Sequence, residues 1–397
     1  MMKILIAEDE RITRRKLQRQ LEQWGHEVTA AEDGQQAWEQ FQQQKFDILV
    51  TDWDMPEMNG YQLVEKIRGG EQSHYVYLIM LTGRSETDDL VAGMEAGADD
   101  FVSKPFDKNE LRVRLRAGER IIELERELAR QNTQLTSAND KMKQDLRAAA
   151  KVQQELLPKE LPDTPLANFA WHYQPCDELG GDILNMFMLD EHHVGMYLLD
   201  VSGHGVPAAL LSVSLSRVLT TREIKSSVLV TSDPQTGGLC VNAPADVAER
   251  LNRQFPSESQ DFYYFTMGYA VLDTRTQILR YVLAGHPGPI LVRPGQTPEM
   301  VEGTGLPVGI VEDAVYDEYE LQLQPGDRLC FYSDGITEAS NKQDKMLDTE
   351  GLIELIAQTS TGTVQESLDA CVAALRSWCE PCPFQDDVSF LVLEIPT

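Results

Sequence analysis

The chain has 397 residues, with 35 Lys plus Arg against 64 Asp plus Glu and a formal net charge of −29; 42% of its residues are hydrophobic and 25% charged. That length suggests two or three domains at roughly 150 residues each, and the composition excludes a disordered or collagen-like chain. No apolar run approaches the ~18 residues of a membrane span, the amino terminus turns acidic too early for a signal peptide, and the acidic total argues against nucleic acid, so the expectation is a cytoplasmic protein with neither nucleic-acid nor membrane partners.

Residues 1–120 carry 16 basic and 23 acidic side chains, a net of −7. Short apolar runs at Lys3–Ala7, Ile48–Thr51, Tyr77–Thr82 and Asp100–Ser103 read as buried parallel strands. Amphipathic stretches at Arg11–Trp24, Gly34–Gln43, Gly60–Ile67 and Asp88–Ala96 read as the helices between them. This alternation predicts an α/β fold with a doubly wound parallel sheet, covered on both faces. Functional residues of such sheets gather at the carboxyl ends of the strands. There stand Glu8 and Asp9, then Asp52-Trp53, then Thr82, then Lys104-Pro105. Three carboxylates at one edge repel unless a cation sits between them, and an all-oxygen set suits Mg²⁺. A lysine and a hydroxyl opposite would hold phosphoryl oxygens, with Asp52 as the nucleophile.

These five positions, in this order and spacing, resemble the receiver domain of bacterial two-component response regulators, a flavodoxin-like fold. The resemblance implies that Asp52 takes phosphate from a histidine kinase or phosphotransfer protein. It implies Mg²⁺ held by Asp9, Asp52 and the Trp53 carbonyl, with Glu8 acting through water. Thr82 and Lys104 would contact the phosphoryl group, and Phe101 would be the switch aromatic.

Next, Ile121, Leu128, Leu135, Met142, Ala149 and Leu156 recur every seven residues. No Pro or Gly interrupts 119–157, and Pro158 stops the run. Residues 121–160 hold 7 basic and 7 acidic side chains. The pattern predicts a helix from about Asp107 to Leu157, about 50 residues long at 1.5 Å each, of which 121–158 is a coiled-coil linker whose seam is weakened by Gln131 and Asp145. A lone helix of this length needs a partner. A parallel coiled-coil homodimer is the first reading, and a helix packed on its own domains is the other. Its end, Ala149 to Pro158, is similar to the A-x-x-x-Q-x-x-LLP segment that precedes one group of phosphatase domains.

The remaining residues hold 12 basic and 34 acidic side chains, a net of −22, together with all six cysteines. Cys379-Glu380-Pro381-Cys382 is a lone CxxC with no second pair for zinc. Strands are predicted at Ala170–Gln174, Ile183–Asp190, Val194–Val201, Tyr263–Asp273, Ile278–Ala284, Ile290–Val292, Tyr316–Leu323, Asp327–Ser333 and Ser389–Glu394. Helices are predicted at Val206–Val218, Pro244–Asn252, Thr349–Ala357 and Val364–Trp378. The class is α+β, a two-sheet sandwich flanked by helices. Ser226–Asn242 reads as a long mobile insertion, and His192-His193 as an exposed turn.

Acidic residues recur beside glycines at strand ends: Gly180-Gly181-Asp182, Asp200-Val201-Ser202-Gly203-His204-Gly205, Ser333-Asp334-Gly335 and Asp386-Asp387. Aspartates meeting at one sheet edge make a hard-oxygen site for two Mg²⁺ or Mn²⁺ ions, which could activate water for attack on phosphorus. The set resembles the metal-dependent (PPM-type) protein serine/threonine phosphatases, in their SpoIIE-like bacterial branch. By that resemblance Asp182, Asp200, Asp334 and Asp386 are the catalytic metal ligands, the Val201 carbonyl assists, and Asp387 is a weaker candidate. His204 is either a metal-shell residue or turn packing, and His286 is structural. The chain departs from the family pattern at Ile183-Leu184-Asn185. The resulting expectation divides the chain into a receiver (1–120), a linker (121–158) and a phosphatase (159–397). It acts on a phosphoserine or phosphothreonine protein, first guessed to be an anti-sigma-factor antagonist. The alternative is an inactive adaptor that sequesters a regulatory protein.

Overall fold

A computed structural model describes residues 1–70, 74–83, 91, 93–203, 205–221, 227–232, 238–256 and 264–397. It divides into two compact units, Met1–Asp140 and Lys141–Thr397.

The first unit is a five-stranded parallel sheet in the order β2-β1-β3-β4-β5. The strands are β1 (Lys3–Ala7), β2 (Glu27–Ala31), β3 (Ile48–Asp52), β4 (Tyr77–Thr82) and β5 (Asp100–Ser103). Every residue of β3 and β4 is buried, because both sheet faces are covered. On one face, α2 (Gly34–Gln43) and α3 (Gly60–Arg68) bring Phe41, Leu63, Val64 and Ile67 onto Leu49 and Leu78. On the other, α1 (Arg11–Gln23) brings Leu17 and Leu21 onto Ile4 and Val50. An Asn59/Gln62 capping box starts α3 immediately after the β3 loop. Sequence patterning missed β2. It is a half-exposed edge strand, Glu-Val-Thr-Ala-Ala, without a continuous apolar run. Of the helix expected over Asp88–Ala96, residues 91 and 93–95 are helical, while 88–90 and 92 lie outside the described residues.

Helix α4 runs unbroken from Lys108 to Gln154, 47 residues or about 70 Å. Its first turns belong to the sheet unit: Leu111, Leu115 and Ile122 complete the core beside α1. Arg126 then pairs with Asp47, whose other oxygen accepts the Lys3 N–H at 2.8 Å. Beyond that point the heptad residues Leu128, Leu135 and Met142 stand in solvent, between 54% and 70% exposed, while Leu156 packs on the core of the second unit.

The second unit stacks two five-stranded antiparallel sheets between helices. One sheet has the order β15-β12-β11-β8-β7, formed by β7 (Ile183–Met188), β8 (His193–Val201), β11 (Phe265–Asp273), β12 (Ile278–Ala284) and β15 (Tyr319–Gln322). The other has the order β14-β13-β16-β17-β6, formed by β6 (Asn168–Gln174), β13 (Ile290–Val292), β14 (Glu299–Met300), β16 (Arg328–Tyr332) and β17 (Val388–Glu394). Alternation along each strand divides its side chains between layers. Leu198, Ala270 and Leu283 face Phe331, Leu391 and Leu393 between the sheets. Their neighbours Leu199, Tyr269 and Val282 face outward to α5 (Val206–Val218) and α6 (Pro244–Gln254). On the opposite side Tyr332, Phe390 and Val392 meet α8 (Asp348–Thr359) and α9 (Val364–Cys379), with the short α7 (Asp334–Thr337) beside them.

Three expectations change here. The run read as a mobile insertion contains, in its described part, an antiparallel pair of β9 (Val230–Ser232) and β10 (Leu239–Val241). Val228, Leu229 and Val230 anchor it in the core. His193 does not simply face solvent: it opens β8, and its Nδ1 lies 2.7 Å from Asp190 Oδ2. The strand expected over Tyr316–Leu323 narrows to Tyr319–Gln322, since Tyr316 turns into the helix-side core.

Candidate functional site

Each unit gathers acidic groups at one end of its sheet. In the parallel sheet Glu8 and Asp9 follow β1, Asp52 closes β3, Thr82 closes β4 and Lys104 follows β5. Glu8 is fully buried, Asp52 and Thr82 are buried, and Asp9 is exposed. Ligand oxygens of Glu8, Asp9 and Asp52 all lie within 4.8 Å of one another. Lys104 Nζ sits 2.8 Å from Glu8 Oε2 and 2.7 Å from Asp52 Oδ2. Burial pushes the Glu8 carboxyl up, and Lys104 pulls against it. Burial works against the Lys104 charge, yet Asp52 and Glu8 together hold its pKa above the ordinary lysine value. The other Asp52 oxygen accepts the Trp53 N–H at 2.8 Å, so both oxygens are oriented. The Trp53 carbonyl accepts the Gly60 N–H at 2.9 Å. Phe101 packs beside the indole of Trp53, ring centres 6.3 Å apart. All the residues singled out in this half of the sequence therefore converge, and three carboxylates this close fit a hard divalent cation.

In the sandwich, the strand register brings the other set together. Asp182 stands one residue before Ile183, which pairs with Leu199, so it faces the end of β8 where Asp200 lies. Asp334 follows β16, and Asp386-Asp387 precede β17, its antiparallel partner. Asp182 is buried, and its carboxyl is pushed well above the ordinary range by burial and then by Asp200 and Asp387. Asp200 is pushed up to about 8 by burial, then by Asp334, Asp386 and Asp387. Acids that raise one another in this way, with oxygen donors only, fit hard divalent ions such as Mg²⁺ or Mn²⁺. The Val201 carbonyl borders the group through Gly181.

Asp387 proves to be more than a weak ligand candidate. It is buried, and its two oxygens accept the N–H groups of Cys176 at 2.9 Å and Asp182 at 3.1 Å. A Cβ on Gly180 would overlap the Asp387 carboxylate and the Tyr173 hydroxyl, so the Gly-Gly-Asp turn closes only with glycine there. Ser389 Oγ donates to Asp182 Oδ2. Ser333 Oγ accepts the Ser389 N–H and donates to the Asp387 carbonyl, both at 3.0 Å. The last turn of α4 joins this shell, with Gln153 Nε2 donating to the Gly180 carbonyl at 2.6 Å. Sequence reasoning missed Cys176, Ser333, Ser389 and Gln153 as contributors. Only the Gln of the A-x-x-x-Q-x-x-LLP segment carried a local signal. His204 lies outside the described residues. His286 is buried with Nδ1 2.8 Å from Thr266 Oγ1, and burial pushes it down to about 3, which fits a structural role.

Two family models match the chain. A family model described as the response regulator receiver domain matches residues 4–116. One described as stage II sporulation protein E (SpoIIE) matches residues 190–396, just over half of the chain. Phosphoserine phosphatase RsbP of Bacillus subtilis is 26% identical over 257 residues, which cover 64% of this chain and 58% of RsbP. Phosphoserine phosphatase RsbU of the same organism is 26% identical over 65% of this chain and 72% of its own length. The phosphate regulon regulatory protein PhoB of Pseudomonas aeruginosa is 38% identical over 29% of this chain and 50% of PhoB. The chain thus spans between about half and three quarters of these relatives. Among solved structures, the SiaA-PP2C domain of Pseudomonas aeruginosa superposes with a TM-score of 0.53 at 20% identity, covering 65% of this chain and 98% of that one. That likeness is one of fold.

Proposed function

The chain belongs to the SpoIIE family and carries a response-regulator receiver domain over residues 4–116, and from that premise we propose that it is a metal-dependent phosphoprotein phosphatase governed by phosphorylation of Asp52. The observation that carries the reading is the strand register, which sets Asp182 and Asp200 at one end of one sheet and Asp334 and Asp386 at one end of the other, with the Asp182 N–H bonded to Asp387. Paired divalent ions bound there would supply a hydroxide nucleophile and charge neutralisation. The chain's own part is to hold the oxygens in place. Asp387 fixes the Asp182 backbone, Ser389 fixes its carboxylate, and both Asp182 and Asp387 are buried, which keeps bulk water from screening these two charges.

At the other site, Asp52 accepts the phosphoryl group. Trp53 N–H and Lys104 orient its two oxygens, and Lys104 can balance the charge gained as the new P–O bond forms. Thr82 and Lys104 contact the phosphoryl oxygens, and Phe101 reports the change. A histidine kinase or phosphotransfer protein is the donor. The functional segments are the receiver (1–120), the linker (121–158) and the phosphatase (159–397). The last turn of the linker nonetheless packs into the catalytic body, through Gln153 on Gly180 two residues before Asp182. Continuity of α4 from Lys108 to that contact supports transmission along the helix. The exposed heptad residues support a parallel homodimer through it. The substrate is a phosphoserine or phosphothreonine protein, for which an anti-sigma-factor antagonist is the first candidate.

The experiment is Mn²⁺-dependent hydrolysis of a phosphoserine protein by the full chain, with and without an acyl-phosphate mimic at Asp52. Turnover should appear in wild type and vanish in Asp334→Asn. Asp52→Asn should abolish acid-labile phosphate uptake and any response to phosphodonors. A wild-type protein inactive in both receiver states would instead support the sequestering adaptor.

A further inference from the structure

A second cluster lies against the acidic ring and contains sulfur. Ligand atoms of Cys176, Asp386 and Asp387 all fall within 4.8 Å of one another. Cys176 follows β6, and its sulfur lies within 4.8 Å of carboxylate oxygens of both Asp386 and Asp387. The Asp387 carboxylate is already aimed, because the N–H groups of Cys176 and Asp182 hold its two oxygens. Behind the thiol opens a cavity of about 610 Å³ lined by Cys176, Arg376, Cys379, Glu380, Cys382 and Phe384, which gives a hydrated ion a path in.

We propose that Cys176, Asp386 and Asp387 form a site for a soft divalent cation of the Zn²⁺ class, and that filling it withdraws Asp386 from the catalytic ring and shuts the phosphatase down. The chemistry separates this site from its neighbour. Asp182, Asp200 and Asp334 offer oxygen only, which suits Mg²⁺ and Mn²⁺, whereas a thiolate selects Zn²⁺ or Cd²⁺. Three protein ligands leave a tetrahedral ion one position for water. As the S–metal bond forms, the thiol proton passes to solvent; no electrons are transferred. Asp386 can serve one ion or the other, so the two sites compete. Cys379 and Cys382 line the same cavity, but among the described residues neither shares the 4.8 Å cluster. The assignment therefore gives Cys176 alone as the thiolate. The inhibitory consequence rests on the phosphatase reading above, while the binding itself does not.

The test uses Cd²⁺ as a spectroscopic probe on the 397-residue chain in excess Mg²⁺. Wild type should show the ultraviolet thiolate-to-cadmium band at one equivalent. Cys176→Ser should lose it, and the double variant Cys379→Ser/Cys382→Ser should keep it. A band that survives Cys176→Ser overturns the site. Cys176→Ala gives a second version should the serine variant not melt cooperatively. At fixed Mn²⁺, Zn²⁺ should inhibit wild type, and half-inhibition of Cys176→Ser should need about tenfold more Zn²⁺ or beyond. Equal inhibition of both overturns the competition for Asp386. A wild-type protein with no phosphatase activity would refute the earlier reading, and the cadmium band would still decide this one.

Discussion

His286 shows how burial turns a single residue into a pH-dependent element. Its pKa falls from 6.5 to about 3 because the folded chain offers the imidazolium no water. The unfolded chain protonates it below pH 6.5 and the folded chain does not. Its contribution to stability is therefore complete above that pH and is lost as pH falls toward 3. At pH 5 the loss is about 2 kcal/mol, at roughly 1.4 kcal/mol per unit. Chemical denaturation of wild type and His286→Gln at pH 7 and pH 5 should show a smaller pH difference in the variant. Asp387 acts through its neighbours instead. Asp387→Ala frees the Cys176 and Asp182 N–H groups, and the Mn²⁺ concentration for half-maximal activity should rise about tenfold or more. An unchanged Mn²⁺ dependence would contradict the positioning role. At this scale the aspartates were legible because each stands at a strand end in a short motif, Asp182 and Asp334 directly beside a glycine. Cys176 and Ser389 were not, since they reach the site by packing, with Ser389 lying 207 positions from Asp182.

Helix α4 is the element on which the proposed regulation turns. Its amino-terminal turns are bound by core contacts and by the Arg126–Asp47 ion pair. Its carboxyl-terminal turn is bound by Gln153. Between these anchors, long apolar side chains stand in water, a costly arrangement for a helix without a partner. Leu128→Asp combined with Leu135→Asp should halve the mass seen by light scattering at micromolar concentration, with each sheet unit still folded by circular dichroism. A wild-type mass already monomeric would end the dimer proposal. The unbroken helical run announced this helix in the sequence from about Asp107, one residue before it begins. Its start at Lys108 lies inside the receiver because Leu111, Leu115 and Ile122 follow the spacing of that core as well.

Across the whole molecule the −29 charge is divided unequally, with −22 carried by residues 161–397. A surface of one sign accelerates encounter with a partner of the other sign, and salt screens it over about 10 Å at 0.1 M. Phosphopeptides flanked by lysine should therefore lose several-fold in kcat/KM between about 50 and 300 mM salt, more than the same peptides flanked by alanine. Identical salt slopes for the two peptides would remove charge from the recognition argument.

The order of the apolar strands and long helices, the two acidic motif sets and the seam of the long helix were legible in the amino-acid sequence alone. Hydrophobic period and glycine-flanked acids are local properties that survive without contacts. Weak edge strands such as β2 and the β9–β10 pair became visible only in the fold, where neighbours rather than their own side chains supply the reason for pairing. Tertiary structure alone made Asp387 a clamp and brought Cys176 to Asp386. Both follow from β6 pairing with β17, which sets Gln174 opposite Val388 and so joins loops more than 200 residues apart. Register between distant strands depends on a shared core, and no single segment encodes it.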